Sequence, residues 1–149
     1  LLDHDIKEKG EYQFTTALEN MRKKGALFVP GQVKEWLDCG NKENMLQTNQ
    51  RYLEFIKDQN LISAKAKVIN SIILPPVFID DNVIIENSVV GPHVSVGAGT
   101  KITDCRLSNS IVQKDCTVTG GFLKDSLLGN FVNFEGKSAD LDLGDYSTI

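Results

Sequence analysis

Apolar residues recur every five or six positions between about residues 62 and 134, and a small or β-branched residue stands two places before nearly all of them. A helix would repeat its apolar positions every three or four residues, and a half-buried strand at every second residue. Periods of five and six instead predict a chain that coils through short parallel strands, three to a turn. The repeating positions are Ile62, Val68, Ile73, Ile79, Ile85, Val90, Val96, Ile102, Leu107, Val112, Val118, Leu123, Leu128 and Phe134.

The residue between each inward pair must point outward, because side chains alternate along a strand. Taking every third strand groups these outward residues into three faces. The first face is mostly polar, whereas the second and third carry large apolar side chains that are costly to leave in water. We expect the second and third faces to contact the N-terminal segment or another subunit. The first face carries Lys67, Ile84, Lys101, Thr117 and Asn133, the second Phe78, Ser95, Ile111 and Leu127, and the third Ile72, Val89, Arg106 and Phe122.

Three glycines follow inward aliphatic residues of the coil, namely Gly91, Gly97 and Gly129. The backbone must turn sharply at these points, and we expect a positive φ to be useful there. After Phe134 the repeat decays, which predicts an irregular tail.

Residues 1 to about 60 follow a different pattern, typical of an α/β segment. Thr15 or Thr16 is expected to cap a helix that ends near Gly25, and Asn41 to cap a second helix. Strands are predicted between them at residues 26–29 and 33–37. Two helices and two short strands make a poor core alone, so this segment is interpreted as the end of a larger α/β domain, and the chain as a fragment.

Composition narrows the function classes. A formal net charge of −4 gives no broad basic surface, which argues against a nucleic-acid partner and against an anionic membrane. Cys39, Cys105 and Cys116 are too scattered for a disulfide framework or a zinc site, and the last two fall at inward positions. The cytoplasm is therefore the expected compartment.

Two short motifs precede the coil: Gly10-Glu11-Tyr12-Gln13-Phe14-Thr15-Thr16-Ala17-Leu18, and Trp36-Leu37-Asp38-Cys39-Gly40. Together with the coil they resemble the sugar-phosphate nucleotidyltransferases, in particular the glucose-1-phosphate thymidylyltransferase and mannose-1-phosphate guanylyltransferase branches. The resemblance implies a mainly β fold: a left-handed parallel β-helix of hexapeptide repeats, residues 61–149, after the last α/β elements of a catalytic domain, residues 1–60. Asn41-Lys42 replaces the Thr-Pro common in that family.

The resemblance implies a metal-binding role for Asp38. In the family, the aspartate of this motif helps to hold Mg²⁺ with a second aspartate from earlier in the chain, and the metal offsets phosphate charge during the transfer. The alternative is a turn aspartate that satisfies backbone N–H groups before Gly40.

The resemblance also places Glu11 beside the sugar-phosphate pocket. A surface glutamate near a helix start is the alternative. The expected partners of the intact enzyme are a nucleoside triphosphate and a sugar 1-phosphate. The family's glycine-rich phosphate loop does not occur in these residues, so we expect the fragment alone to be inactive and the β-helix to form a homo-oligomer.

Two alternative functions remain open. Hexapeptide coils also occur in acyltransferases that use a histidine base, and His93 is the histidine of this coil. A solvated turn histidine is the favoured interpretation of His93, because no companion acid is evident in the sequence. The other alternative is a module that serves oligomerisation or regulation without catalysis.

Overall fold

The computed structural model describes Asp5, Lys7 and residues 9–136. The tail predicted after Phe134 lies almost entirely outside these residues. The chain divides into two compact units, residues 1–36 and residues 37–149.

Helix α1, Phe14–Lys23, belongs to the first unit, and helix α2, Lys42–Ile56, to the second. The predicted threonine caps are wrong, since α1 begins one residue before Thr15 and Gln13 makes no side-chain capping bond. The predicted Asn41 cap is confirmed: its Oδ1 accepts the backbone N–H of Asn44 at 2.8 Å, which satisfies a donor left free at the helix start.

The strands predicted at residues 26–29 and 33–37 are wrong. Within the described residues, neither stretch forms a strand. A strand is stabilised by the ladder of hydrogen bonds to its neighbour, and these stretches have no such pairing, so their β-forming sequence is not sufficient. Their apolar side chains are exposed instead, as Leu27, Val29 and Val33 show.

Residues 67–135 form eleven short strands, and all of their pairings are parallel. They build a β-solenoid of about four turns, which confirms the predicted coil; its left hand stays a prediction from the resemblance. The strands are β1 Lys67–Ile69, β2 Ile72–Ile73, β3 Val77–Ile79, β4 Ile84–Glu86, β5 Val89–Val90, β6 Val94–Val96, β7 Lys101–Ser108, β8 Ser110–Val112, β9 Thr117–Lys124, β10 Leu127–Leu128 and β11 Asn133–Glu135.

The register confirms all three predicted faces. The first face stacks β1, β4, β7, β9 and β11, so that Lys67, Ile84, Lys101, Thr117 and Asn133 are direct neighbours. The second face stacks β3, β6, β8 and β10. The third stacks β2 and β5 on the second halves of β7 and β9, which turn a corner of the coil.

The core is the double column predicted from the repeat. Ile85, Ile102 and Val118 are consecutive neighbours in the stack and are fully buried. Cys105 and Cys116, predicted to point inward, are buried and free of disulfides. Since each turn places its apolar side chains directly over those of the turn before, burial continues along the axis and no broad sheet-on-sheet core is needed.

Hydroxyl groups explain why small polar residues occur in this core. The Oγ of Ser88 accepts the backbone N–H of Cys105 at 3.0 Å, and the Oγ1 of Thr100 accepts that of Cys116 at 3.1 Å. In each pair a side chain of one turn satisfies a buried backbone donor of the next turn. A buried donor without a partner would cost about 1–3 kcal/mol, so these hydroxyls join the turns as the aliphatic residues do.

The corners of the solenoid have a left-handed backbone, which is supplied mainly by asparagine and aspartate. Of the three glycines predicted to need a positive φ, only Gly91 has one, at 117°. Gly97 is required for a different reason, because a Cβ there would lie 2.8 Å from the backbone of Gln113. His93 and Phe131 are the other side chains with such a backbone in the solenoid, at φ of 58° and 61°, and Phe131 is 70% exposed.

Helix α2 covers part of the second face, which confirms one of the two predicted contacts. It packs against β6 and β8 and buries Leu46 and Leu53. On the third face, Ile72 is 59% exposed and Phe122 is 62% exposed. Within the described residues, this face therefore leaves two large apolar side chains open to solvent.

Candidate functional site

Asp38 lies in the short loop that leads into α2, three residues before the capping Asn41. Its carboxylate is held at both oxygens. Oδ1 accepts the backbone N–H of Gly40 at 3.0 Å, and Oδ2 accepts the side-chain amide of Asn44 at 2.7 Å. The carbonyl oxygen of Asp38 accepts the Thr48 hydroxyl at 2.6 Å. Residues of α2 thus fix both the backbone and the side chain of Asp38.

The contact with Gly40 is the one that the turn interpretation of Asp38 predicts, and it does not exclude a metal-binding role. Each carboxylate oxygen has one hydrogen-bond donor and keeps further acceptor capacity, and the residue is exposed. Outer contacts of this kind orient carboxylate ligands of metals. Residues 9–136, however, contain no group of three or more His, Cys, Asp or Glu side chains arranged to hold a metal. The local chemistry therefore fits one ligand of Mg²⁺, with phosphate and water completing the shell.

Glu11, the predicted substrate-binding residue, lies in the first unit, two residues before the N-cap of α1. It is exposed, and its Oε2 lies 3.5 Å from Nε2 of Gln13, a weak contact. No contact in the structure assigns it a ligand, so its role stays a prediction. Cys39, beside Asp38, is exposed and free.

His93 is not the solvated turn residue that the sequence favoured. Its side chain is only 17% exposed, and its Nε2 lies 2.8 Å from Oε1 of Glu54 on α2. This pair has no signal in the sequence, because the two residues are 39 positions apart and meet only when α2 packs on the second face. Glu54 thus supplies the acid partner that was not evident in the sequence, and the pair lies in the contact between α2 and the solenoid.

Asn49 makes the second polar contact between α2 and the solenoid. Its Oδ1 accepts the Ser95 hydroxyl at 2.6 Å, and its Nδ2 donates to the backbone carbonyl of His93 at 3.3 Å. Both groups of one amide are thereby satisfied by neighbouring residues of the solenoid. Neither Asn49 nor Glu54 belongs to a recognisable sequence motif, so these residues escape sequence reasoning.

The hydrogen bond from His93 lowers the pKa of Glu54, with a smaller lowering by Lys57 and an opposing effect of burial. A carboxyl whose pKa is lowered on folding contributes stability above its ordinary range and loses that contribution as the pH falls through the folded value. The contact between α2 and the solenoid should therefore weaken in acid. Because Glu54 remains in contact with water, solvent screens much of this effect.

A groove of about 440 Å³ lies between α2 and the second face. Its lining is uncharged, so it offers no cation that could hold the phosphates of a nucleotide. The lining residues are Asn49, Tyr52, Leu53, Ile56, Gln59, Asn60, Leu61, Phe78 and Ser95.

These features define a hexapeptide-type β-solenoid preceded by a helix, α2, whose entry loop carries an oriented aspartate. In an alignment 141 positions long, which covers 83% of this chain and 39% of the relative, the sequence is 30% identical to glucose-1-phosphate thymidylyltransferase of Streptomyces antibioticus. Over 49 residues, 32% of this chain and 12% of the relative, it is 45% identical to a probable mannose-1-phosphate guanyltransferase of Schizosaccharomyces pombe. The predicted resemblance to sugar-1-phosphate nucleotidyltransferases is thus confirmed.

The chain spans about two fifths of the length of the first relative and about one eighth of the second. No protein-family profile matches it. Neither helix of the described residues has the length and apolarity that crossing a membrane would require.

Proposed function

We propose that this chain is the C-terminal part of a sugar-1-phosphate nucleotidyltransferase that acts in the cytoplasm. The observation that carries the proposal is the similarity to a glucose-1-phosphate thymidylyltransferase across 83% of the chain. The exposed apolar side chains of residues 27–36 support it as well, because a sheet of a larger α/β domain would cover them. Residues 1–60 would then be the last elements of that catalytic domain.

In the proposed reaction, a phosphate oxygen of the sugar 1-phosphate attacks the α-phosphorus of a nucleoside triphosphate. The bond to the β-phosphate breaks, and pyrophosphate leaves. Mg²⁺, when bound, would offset the phosphate charge, and Asp38 is the residue of this chain that would hold it. Asn44 and the Gly40 N–H keep the Asp38 carboxylate in one orientation, and Glu11 would contact the sugar phosphate.

The metal-binding role of Asp38 predicts a site-specific effect of a paramagnetic ion. Titration of the ¹⁵N-labelled chain with Mn²⁺, which takes the same oxygen ligands, should broaden the amide resonances of Gly40 and Asn41 first. Asp38→Asn should abolish this broadening, because a neutral amide is a poor ligand for a hard cation. Asp58→Asn is the matched control, since it removes an exposed carboxylate just after α2 and should leave the broadening at Gly40 intact.

Broadening that persists in Asp38→Asn would refute the proposed metal ligand. In the natural full-length protein, the same substitution should lower pyrophosphate release from a nucleoside triphosphate and a sugar 1-phosphate by at least about 100-fold. The chain of 149 residues by itself should show no turnover, and turnover would contradict the assignment of the phosphate loop to another part of the protein.

We further propose that the solenoid serves assembly, and that the third face contacts a second copy of this chain. Its apolar side chains are exposed, and the guanidinium of Arg106 stacks on the Phe122 ring, 5.6 Å from the centroid. The corners beside this face carry Asp104 and Asp125, both exposed. In a twofold-symmetric dimer of such faces, the cation of one copy can lie near the carboxylates of the other, so the face is complementary to a second copy of itself.

Sedimentation equilibrium can test this assembly. Phe122→Asp places a charge on the third face and should weaken self-association by at least about tenfold. Thr117→Asp is the matched control: Thr117 lies on the same strand β9, is also exposed, and belongs to the first face. An equal effect of both substitutions, or a wild-type chain that stays monomeric at high concentration, would contradict the proposed contact.

A further inference from the structure

We infer that the solenoid positions Asp38, and that it does so through helix α2. Two polar contacts on the solenoid side, at His93 and Ser95, fix the helix, and the helix in turn fixes the carboxylate of Asp38. Glu54 and Asn49 are then positioning residues for a site that they do not touch. The inference rests on the proposed role of Asp38, although its structural part can be tested separately.

The first step is the dependence of Asp38 on α2. Asn44 holds its carboxylate and Thr48 holds its carbonyl, and both residues belong to the first half of the helix. The remaining contact, with the Gly40 N–H, lies within the same loop. Any shift of the helix therefore carries Asp38 with it.

The second step is the dependence of α2 on the solenoid. Leu46 and Leu53 bury their side chains in this contact, but apolar packing is non-directional and tolerates small rotations and shifts of a helix. The hydrogen bonds of Asn49 and Glu54 are directional, so they define one register. Thr48 hydrogen-bonds to the Asp38 carbonyl, and the next residue, Asn49, hydrogen-bonds to Ser95 of the solenoid. Adjacent residues of α2 thus contact the Asp38 loop and the solenoid.

The third step is the rigidity of the surface that receives the helix. His93 occupies a corner with a φ of 58°, and its backbone N–H donates to the carbonyl of Pro76 at 2.8 Å. Ser95 stands in β6, between paired strands on both sides. The helix thus meets a part of the fold in which the backbone is held by neighbouring turns.

The geometry indicates how much such a contact can matter. Asn44 and Glu54 are ten residues apart, or about 15 Å along the helix axis. A tilt of the helix by about 5° about Glu54 would therefore displace its backbone at Asn44 by roughly 1 Å. A displacement of that size can change a reaction rate by about 100-fold, so the contact is strong enough to affect a site that it does not touch.

The decisive variant changes only the solenoid side. His93→Asn removes the hydrogen bond to Glu54 and keeps a residue type that tolerates the left-handed corner, since asparagine occupies such corners at residues 82 and 87. Ser95→Ala removes the hydrogen bond to Asn49. In the double variant of the whole chain, we expect water exchange of the Gly40 amide to accelerate by about threefold or more, because the Asp38 carboxylate no longer holds it steadily. The Asn44 side-chain amide resonances should shift as well. Thr117→Ala, on the first face, is the control and should change neither signal.

Unchanged exchange at Gly40 in the double variant would overturn the inference. Persistent slow exchange at the buried amide of Cys116 reports that the solenoid is still folded. If the slow exchange at Cys116 is lost, two single variants of α2 replace the double variant. Glu54→Ala should accelerate water exchange of the Gly40 amide. Glu43→Ala, which changes an exposed residue of the same helix, should not. Equal effects of these two substitutions would also overturn the inference.

The Mn²⁺ titration separates this inference from the proposed function. Weaker Mn²⁺ broadening at Gly40 in the double variant, together with faster exchange, supports both. Faster exchange in a chain that never binds Mn²⁺ at Asp38 leaves the positioning intact and refutes the metal ligand. Mn²⁺ binding that is identical in the wild type and the double variant, with unchanged exchange, refutes the positioning alone.

Discussion

Replacing Gly91 by alanine is expected to lower the free energy of unfolding by about 3 kcal/mol or more, or to prevent folding. A Cβ at this position would lie 2.0 Å from the carbonyl oxygen of Leu74 and 2.9 Å from a methyl carbon of Val77. The φ of 117° is also one that residues with a side chain rarely adopt. The obstructing atom is backbone of the preceding turn, so a rotamer change cannot relieve the clash. Urea unfolding followed by circular dichroism measures the loss.

Gly129→Ala is the matched control. Gly129 also follows an inward aliphatic residue, but its backbone has no positive φ and a Cβ there would meet nothing within 4 Å. The substitution should be neutral, or stabilising by about 0.4–1 kcal/mol, because alanine restricts the unfolded chain. A similar loss of unfolding free energy for both variants would mean that a Cβ is no more obstructed at residue 91 than at residue 129. That result would contradict the close approach of Gly91 to the Leu74 carbonyl.

Ile102→Ala is expected to destabilise the solenoid by about 3–4 kcal/mol. Ile102 has no exposed surface and lies between Ile85 and Val118 in the central stack. Truncation leaves a cavity that neighbouring turns cannot close, since paired strands fix their spacing. The measurement is the urea midpoint at an unchanged slope, which shows that the same amount of surface is exposed on unfolding.

The control for this cavity is Ile69→Ala. Ile69 stands on β1, where it is 48% exposed, and its truncation removes less buried area, so we expect a loss below about 1 kcal/mol. Equal losses at residues 69 and 102 would contradict a core confined to the axis of the coil.

The solenoid could be predicted because its information is local and repeated. A position such as Ile102 recurs in type at every turn, and the coil pairs each strand with the one about a turn earlier. Alternation then assigns every outward residue to a face, and Phe122 falls on the third face as expected. The strand predicted at residues 33–37 does not form, because β-propensity stabilises a strand only when a partner strand pairs with it.

The candidate site was only partly predictable. Asp38 stands out through its motif, whereas Asn44 and Thr48 are ordinary polar positions of an amphipathic helix. Glu54 and His93 could not be paired from sequence, because their contact depends on where α2 lands on the second face. The corner geometry was also missed in part: of the three glycines expected to use a positive φ only Gly91 does, and asparagine and aspartate supply most of the left-handed corners.

The sequence by itself determined the winding of residues 62–134, the inward and outward sides of each strand, and the resemblance that singles out Asp38. The winding and the two sides of each strand follow from alternation and a short repeat, which act between near neighbours along the chain, whereas Asp38 is singled out by the motif that carries the resemblance. Only the tertiary structure decided that α2 covers the second face, that the third face is left open within the described residues, and that His93 meets Glu54. Such contacts join residues far apart in sequence, and they depend on the shape and the hydrogen-bonding groups of both surfaces.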